Sequence, residues 1–487
     1  MGATASLTDR ITTILVDVSN VIWGPWVLIP LLLVTGVVLT VRLRGIQAHK
    51  LGAALHLGLW RRKDEDAQEG DVSQFQALTT ALAATVGTGN IVGVATAIAV
   101  GGPGALFWMW VTAVFGMASK YTEAFLAVRY RTTDRAGEKS GGPQYYLQRG
   151  IKGPVGKVLA LSFAVFAVVA SFGIGNMTQG NSIASNVEHS FGVAPWITGV
   201  VLTVLTLSVL VGGIKSIGRV TANFVPIMIV FYVLGSAYIL VVNAGAIPAA
   251  LGAVFTEAFT GSAATGGFLG STIMVAMRMG MARGIFSNES GMGSAAIAAA
   301  SAQTTHPVRQ GLVSMTQTFI DTIIVVTCTG LVLLTTGAWT MGRDAAATMT
   351  GEAFTSGLPG QWGHWVVTIA LALFAYSTIL GWAYYGERCV ERLVGRGGVM
   401  PFRFVFSLVV YVGCTQTLTL VWNFSDIMNG LMAIPNLIGL LVLSGLVARE
   451  TRWYLAHDPK LVADKATIDA FMAGRDGGID TYETTGR

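Results

Sequence analysis

Charge is scarce in this chain. Of its 487 residues only 12% are Asp, Glu, Lys or Arg, where a soluble globular chain carries about a quarter. Hydrophobic residues make up 53%, and mean hydropathy is +0.61. No Asp, Glu, Lys, Arg or His occurs from Val72 to Ser119. These absences exclude an ordinary soluble domain and point to a polytopic membrane protein. Cysteine is nearly missing as well: Cys328, Cys389 and Cys414 are scattered, with no disulfide or metal pattern. There is no metal-ligand cluster, no pair of catalytic carboxylates and no nucleophile elbow, so a membrane enzyme has little to stand on. The nearest glycine–serine run, Glu289 to Ser294, falls in a segment expected in the cytoplasm. The net charge of +5 is too diffuse for nucleic acid.

Long apolar runs are what the chain has instead. A helix needs about 20 apolar residues to cross a bilayer. Eleven crossings are expected, near 22–41, 74–100, 104–128, 157–178, 194–213, 221–243, 264–284, 312–336, 365–386, 404–421 and 427–447. Lys and Arg gather in alternate loops: Arg42 to Lys63, Arg129 to Lys152, Lys215 and Arg219, and Arg388 to Arg403. Asn181 to Pro195 has neither, and Gly337 to Gly363 has only Arg343. The positive-inside rule then sets the N-terminus outside and the C-terminus in the cytoplasm. The tail from Ala448 is polar and reads as partly disordered or surface-lying.

Within the uncharged stretch lies "ATVGTGNIVG", Ala84 to Gly93. Glycine in a helix costs about 1 kcal/mol relative to Ala. In lipid, freed backbone groups survive only where they are buried in protein or line a cavity. Two readings stand. Gly89 and Gly93 form GxxxG, a close-packing motif. Alternatively, the helix unwinds at the midplane, where carbonyls hold a cation and amides an anionic group. Asn90 favours unwinding, since it offers both a carbonyl ligand and an amide donor. A dinucleotide-binding loop fails, because no βαβ unit surrounds it. "TGGFLGSTIM", Thr265 to Met274, echoes the motif in the second half. Two interrupted helices in corresponding positions point to a binding site between inverted repeats. Residues 72–243 and 244–447 would then be two five-helix units, with 1–43 an added N-terminal helix and 448–487 a cytoplasmic tail.

"GGPGALFWMWVTAVFG" from Gly101 resembles the signature of the alanine/glycine:cation symporter family, the sodium:alanine symporters. "ALAATVGTGNIVGVATAIA", "RGIFSNESGMGSA" from Arg283, "HPVRQG" from His306, "FIDT" from Phe319 and "STILGWAYYGERC" from Ser377 are similar to that family too, in order from about Phe75 to Trp422. The resemblance implies an all-α, LeuT-like fold: a 5+5 inverted repeat with discontinuous helices, plus one extra N-terminal helix. It implies that Thr88, Gly89 and Asn90 meet a substrate carboxylate. The carbonyls of Ala83, Thr85 and Val86, with Asn90, would face Na⁺. Ser377 and Thr378 would add hydroxyls to a sodium position, although a lone Ser or Thr usually bonds back to its own helix. Gln179 reads either as a substrate contact or as a polar residue near the outer mouth. Trp382 reads as a pocket wall or as core packing, with Met274 and Met277 the alternative wall.

Asp321 should be deep in the membrane, where a carboxylate is expensive and has a partner. That partner is Na⁺ or Arg278, and an ion pair between their helices is the structural alternative. Glu123, with Lys120 and Arg129 nearby, reads as structural. The expected function is inward symport of alanine, glycine or a similar small neutral amino acid with Na⁺, without a cofactor. One Na⁺ with a zwitterion gains about 2.3 kcal/mol per 100 mV. A tenfold Na⁺ gradient adds about 1.4 kcal/mol, so one ion per substrate suffices. Proton coupling through Asp321 is the alternative. A channel would leave a polar stripe along a pore rather than polar character at two breaks.

Overall fold

The computed structural model describes residues 7–24, 26–64, 67, 69–134, 136–260, 273–360, 362–416 and 418–473, and they are overwhelmingly helical. Among them six helices are long and apolar enough to span a bilayer: Pro154–Phe191, Gly213–Val242, Pro307–Thr335, Trp365–Val394, Arg396–Thr415 and Val421–His457. A seventh span is a pair, Gln74–Thr85 and Gly89–Gly101, bent by 52°. Leu28–Arg42 and Pro195–Leu210 are shorter apolar helices. A separate helix, Leu7–Ile22, precedes the expected first span and packs on Leu418–His457. The only strands among the described residues pair Thr132 with Ser140 and Thr133 with Lys139.

Helix starts follow local chemistry. Proline opens the helices at Pro143, Pro154, Pro195 and Pro307, where its missing N–H costs nothing. Ser73 and Gln76 form a reciprocal capping box in front of Gln74–Thr85. Small residues then set how close the helices come. A Cβ on Gly101 would lie 3.1 Å from Ala276 Cα, one on Gly280 2.3 Å from the Ala105 carbonyl, and one on Gly284 2.5 Å from Thr112 Oγ1. Gly89–Gly101 and Gly104–Arg129 therefore press against Ile273–Asn288 along most of its length.

The chain beyond Ala448 is expected to be partly disordered or surface-lying; residues 474–487 lie outside the described residues, and the part before them is ordered. Through Ala473 it packs back onto the bundle, burying Tyr454, Leu461, Ile468 and Met472. Arg309 is the anchor. Fully buried, it donates Nε to the Tyr454 hydroxyl (2.8 Å), Nη1 to Asp64 (3.0 Å) and Nη2 to Asp458 (3.0 Å). One guanidinium thus ties the segment before the bent helix pair to the C-terminal segment.

Removing one partner of a buried ion pair costs about 3–5 kcal/mol, because it strands the other charge. Arg309→Met should therefore lower the melting temperature of the purified protein strongly, whereas Lys465→Ala, which removes an exposed pair with Asp469, should leave it unchanged. Asp458 adds a pH dependence. Burial pushes its carboxyl up, but bonds from Arg309, the Val462 N–H and Tyr454 outweigh this and hold it below the ordinary range. The clamp then stabilises fully above the ordinary carboxylate pKa and weakens as pH falls through the lowered one. Acid should cost the parent more stability than it costs Arg309→Met.

Candidate functional site

The bend in the first helix pair is made by two side-chain amides. In a continuous helix the N–H groups of Gly87 and Thr88 would donate to the carbonyls of Ala83 and Ala84. Here the Gly87 N–H donates to Asn90 Oδ1 (2.8 Å), and the Thr88 N–H donates to Gln179 Oε1 (3.2 Å). The helix stops at Thr85, Val86 turns to ψ 89°, and helical structure resumes around Gly89. Asn90 is itself held from outside: its Nδ2 donates to Asp321 Oδ1 (2.7 Å) and to the Asp321 carbonyl (3.2 Å). Gln179 is held by donating Nε2 to the Ile174 carbonyl (2.8 Å).

The residues that do this sit at widened turns. π-helical segments run over Gly89–Gly93, Gly173–Met177 and Phe319–Val326. They carry Asn90 and Asp321 and immediately precede Gln179. Such turns displace side chains from the regular helical register and recur at functional sites.

A second break faces the first. Ile273–Asn288 ends at Glu289, which has left-handed backbone (φ 54°), and helix resumes at Ser294. The same device recurs, with Asn288 Oδ1 accepting the N–H of Ser290 (2.9 Å). Glu289 is buried and accepts from Trp382 Nε1 and Ser294 Oγ. The two breaks touch: a Cβ on Gly89 would lie 2.9 Å from Ser287 Cα. Asp321 spans them, since it also accepts from Ser287 Oγ (2.9 Å) and Thr322 Oγ1 (2.7 Å).

Oxygens gather at the released end of the first half-helix. Ser377 Oγ (3.2 Å) and Thr378 Oγ1 (3.0 Å) both reach the Ala83 carbonyl. Both also donate to Phe374 O, as the back-bonding alternative required. Thr378 Oγ1 would lie 2.4 Å from a Cβ on Gly87. Nearby, the Thr88 hydroxyl oxygen is buried without a hydrogen-bond partner among the described residues. Lys120 is buried within electrostatic reach of Glu123, Glu289 and Asp321, one formal cation against three carboxylates.

Ala83, Thr88, Gly89, Asn90, Gln179, Asp321, Ser377 and Thr378 therefore lie in one contact network. Thr85 and Val86 form the bend, with the Thr85 hydroxyl donating back to Ala81 O. Trp382 is fully buried, packed on Gly175 and bonded to Glu289. Other expectations are corrected. Arg278 bonds to Asn20, and Asp321 is held by neutral donors, so no ion pair joins them. The ion pair that does join Ile273–Asn288 to another helix is Arg283–Asp426. Arg129 pairs with Glu450, while Glu123 accepts from the Gly293 N–H and Asn436. Met274 is 44% exposed. It and Met277 lie about 20 and 15 Å along the helix from Ser287, at 1.5 Å per residue. Most of Thr265–Met274 lies outside the described residues; Ile273 and Met274 are helical. A break does lie at Glu289–Gly293, in the run that was expected to be cytoplasmic. Ser287, Asn288, Ser290, Gly291 and Gly293, five turn-favouring residues within seven, were the signal that marked it.

The whole-chain comparison decides the family. The model of the "Sodium:alanine symporter family" matches residues 8–467. The chain belongs to the sodium:alanine symporter family. It is 54% identical over 439 residues to the Methanococcus maripaludis "Sodium/alanine symporter AgcS", covering 89% of this chain and 95% of that one. It is 36% identical over 395 residues to a Bacillus subtilis protein, YrbD, whose name describes a sodium/proton-dependent alanine carrier, covering 78% and 80%. Among solved structures, MhsT in complex with L-phenylalanine aligns with a TM-score of 0.53 at 14% identity, over 79% of this chain and 98% of that one. The fold is the LeuT-like arrangement of discontinuous helices.

The two readings of the glycine motif now separate. GxxxG packing needs both glycines at a contact. A Cβ on Gly93 meets nothing nearer than the Thr88 carbonyl at 3.8 Å, while one on Gly89 strikes backbone. Gly93→Ala should keep transport in reconstituted vesicles, and Gly89→Ala should lose most of it. Asn90→Ala orphans the Gly87 N–H and one oxygen of Asp321, at about 1–3 kcal/mol each. It should abolish transport in protein that still purifies as a single species.

Proposed function

We propose that this symporter carries alanine or a similar small neutral amino acid inward together with Na⁺. The observation that supports this best is the convergence of the Ala83 carbonyl with the Ser377 and Thr378 hydroxyls. Hard cations are bound by oxygen, and these three supply it without a charge of their own. The substrate carboxylate goes to the first break, where the Thr88 hydroxyl has no partner among the described residues and a half-helix N-terminus begins. Gln179 and Asn90 hold that geometry rather than serving as free ligands, because their oxygens already accept Gly87 and Thr88 N–H groups. The Lys/Arg-rich loops face the cytoplasm. A relative's name includes proton dependence, so proton coupling is the second reading to test, with Asp321, which accepts from three donors, as its candidate carrier.

Uptake of labelled alanine into proteoliposomes under a Na⁺, Li⁺ or pH gradient tests the coupling. Ser377→Ala combined with Thr378→Val should raise the half-saturating Na⁺ concentration about tenfold or more, the loss of about 1.4 kcal/mol, with little change in the alanine requirement at saturating Na⁺. Uptake driven equally by a pH gradient without Na⁺, or an equal loss at every Na⁺ concentration, refutes the assignment.

Selection for small side chains falls to Trp382 in this reading. An apolar pocket discriminates by only about 1–3 kcal/mol per methylene and favours the larger substrate. A rigid wall therefore has to exclude it. Trp382→Ala should admit valine, leucine or methionine as competitors of alanine uptake, while Trp382→Phe keeps the parent's preference.

A further inference from the structure

On the outer flank of the Gln74–Thr85 half-helix a groove of about 690 Å³ runs between that helix, Gly213–Val242 and the widened turn at Phe319–Val326. Its floor is apolar: Leu82 and Val225 are buried in it, and Ile229, Ile320 and Ile324 line its sides. Two irregularities keep it open. Pro226 cannot donate to the Ala222 carbonyl, which disturbs Gly213–Val242 at that point. The π-helical turn shifts Ile320 and Ile324 out of the regular register.

The groove does not end in apolar residues. Arg62 and Phe75 also line an adjoining polar hollow of about 460 Å³, together with Lys63, Gln76, Asn223 and Asp71. Arg62 has left-handed backbone (φ 53°), and its guanidinium lies 4.7 Å over the Phe75 ring. That strained turn aims a cation at the junction of the two hollows. Lys63 beside it is exposed. The acidic member, Asp71, is engaged in accepting the Lys139 N–H (2.7 Å). An apolar trough leading to two exposed cations at the basic end of the bundle matches one amphiphile, a membrane lipid with an anionic head.

We propose that this groove is a binding site for an anionic glycerophospholipid, with an acyl chain along Leu82, Val225 and Ile229 and the phosphate at Arg62 and Lys63. The lipid would lie against the half-helix that carries the Ala83 carbonyl, bracing it from the bilayer side. The small amino acid of the transport reaction has no place there, because the trough offers no converging polar groups.

The test is retention of phosphatidylglycerol and of phosphatidylcholine with matched chains, titrated into delipidated protein in detergent and read by native mass spectrometry. Each basic residue near a membrane surface contributes about 1 kcal/mol toward anionic lipid. Arg62→Ala with Lys63→Ala should therefore weaken phosphatidylglycerol binding about 30-fold and leave phosphatidylcholine unchanged. Ile229→Trp, which fills the trough, should weaken both lipids alike. Arg343→Ala removes an exposed cation on the other side and should change neither. The proposal falls if the parent holds the two lipids equally, if the double variant keeps phosphatidylglycerol, or if Arg343→Ala weakens it as much. Both changed cations are exposed, so folding of the double variant is not at risk.

Discussion

Everything at the centre of this protein depends on where two backbone N–H groups point. A membrane helix keeps its N–H groups for its own carbonyls, because hydrocarbon offers no alternative. At Gly87 and Thr88 the alternative is supplied by protein, through Asn90 Oδ1 and Gln179 Oε1. The carbonyls of Ala83 and Ala84 are thereby left without their helical donors, and the Ser377 and Thr378 hydroxyls come to meet Ala83. The bend of 52° follows from this exchange of partners. Glycine at 87 is a packing requirement of the exchange, since any side chain there would collide with Thr378 Oγ1.

Two amides could not hold the break alone, because each must itself be fixed. Asn90 is fixed by Asp321, and Asp321 by Ser287 and Thr322. The carboxylate is the only group in the set that can accept from all three at once. It lies on the Pro307–Thr335 helix, while its donors lie on three different stretches of chain: the first break, the end of Ile273–Asn288 and its own neighbour. An intramembrane acid is here a junction that ties one interrupted helix to the other. That role carries a cost of burial that a neutral side chain would avoid.

Much of this was legible in the sequence. The uncharged run, "GTGN" and the Ser377–Thr378 pair located the first break and the oxygens that meet it, since helix-breaking residues in lipid need a reason. The break at Glu289–Gly293 was not anticipated. Span length was set by counting apolar residues, and Ser287, Asn288 and Glu289 look like the end of a crossing rather than its middle. Only tertiary packing makes them interior: Glu289 is neutralised in hydrogen-bonding terms by Trp382 and Ser294, groups far away in sequence or beyond the turn. Arg278 failed as a partner for Asp321 for the related reason that spacing along two helices does not fix their axial register.

The glycines show why packing and unwinding are not rival explanations. Gly89 is small because Ser287 backbone approaches it, and that approach is possible only because both chains have just left, or are about to leave, regular helix. Gly101 repeats the contact a few turns away against Ala276, so the half-helix Gly89–Gly101 lies antiparallel along Ile273–Asn288 with close contacts at both ends. The other half, Gln74–Thr85, rests on Gly213–Val242, the helix through Ser377, Ser294–Ala300 and Pro307–Thr318. The Ala83 carbonyl and the Thr378 hydroxyl thus belong to separate elements, while Gly89 and Ser287 are in close contact. Displacing Gln74–Thr85 relative to the helix through Ser377 would part the Ala83 carbonyl from the Ser377 and Thr378 hydroxyls, so the integrity of that oxygen cluster depends on where the half-helix sits.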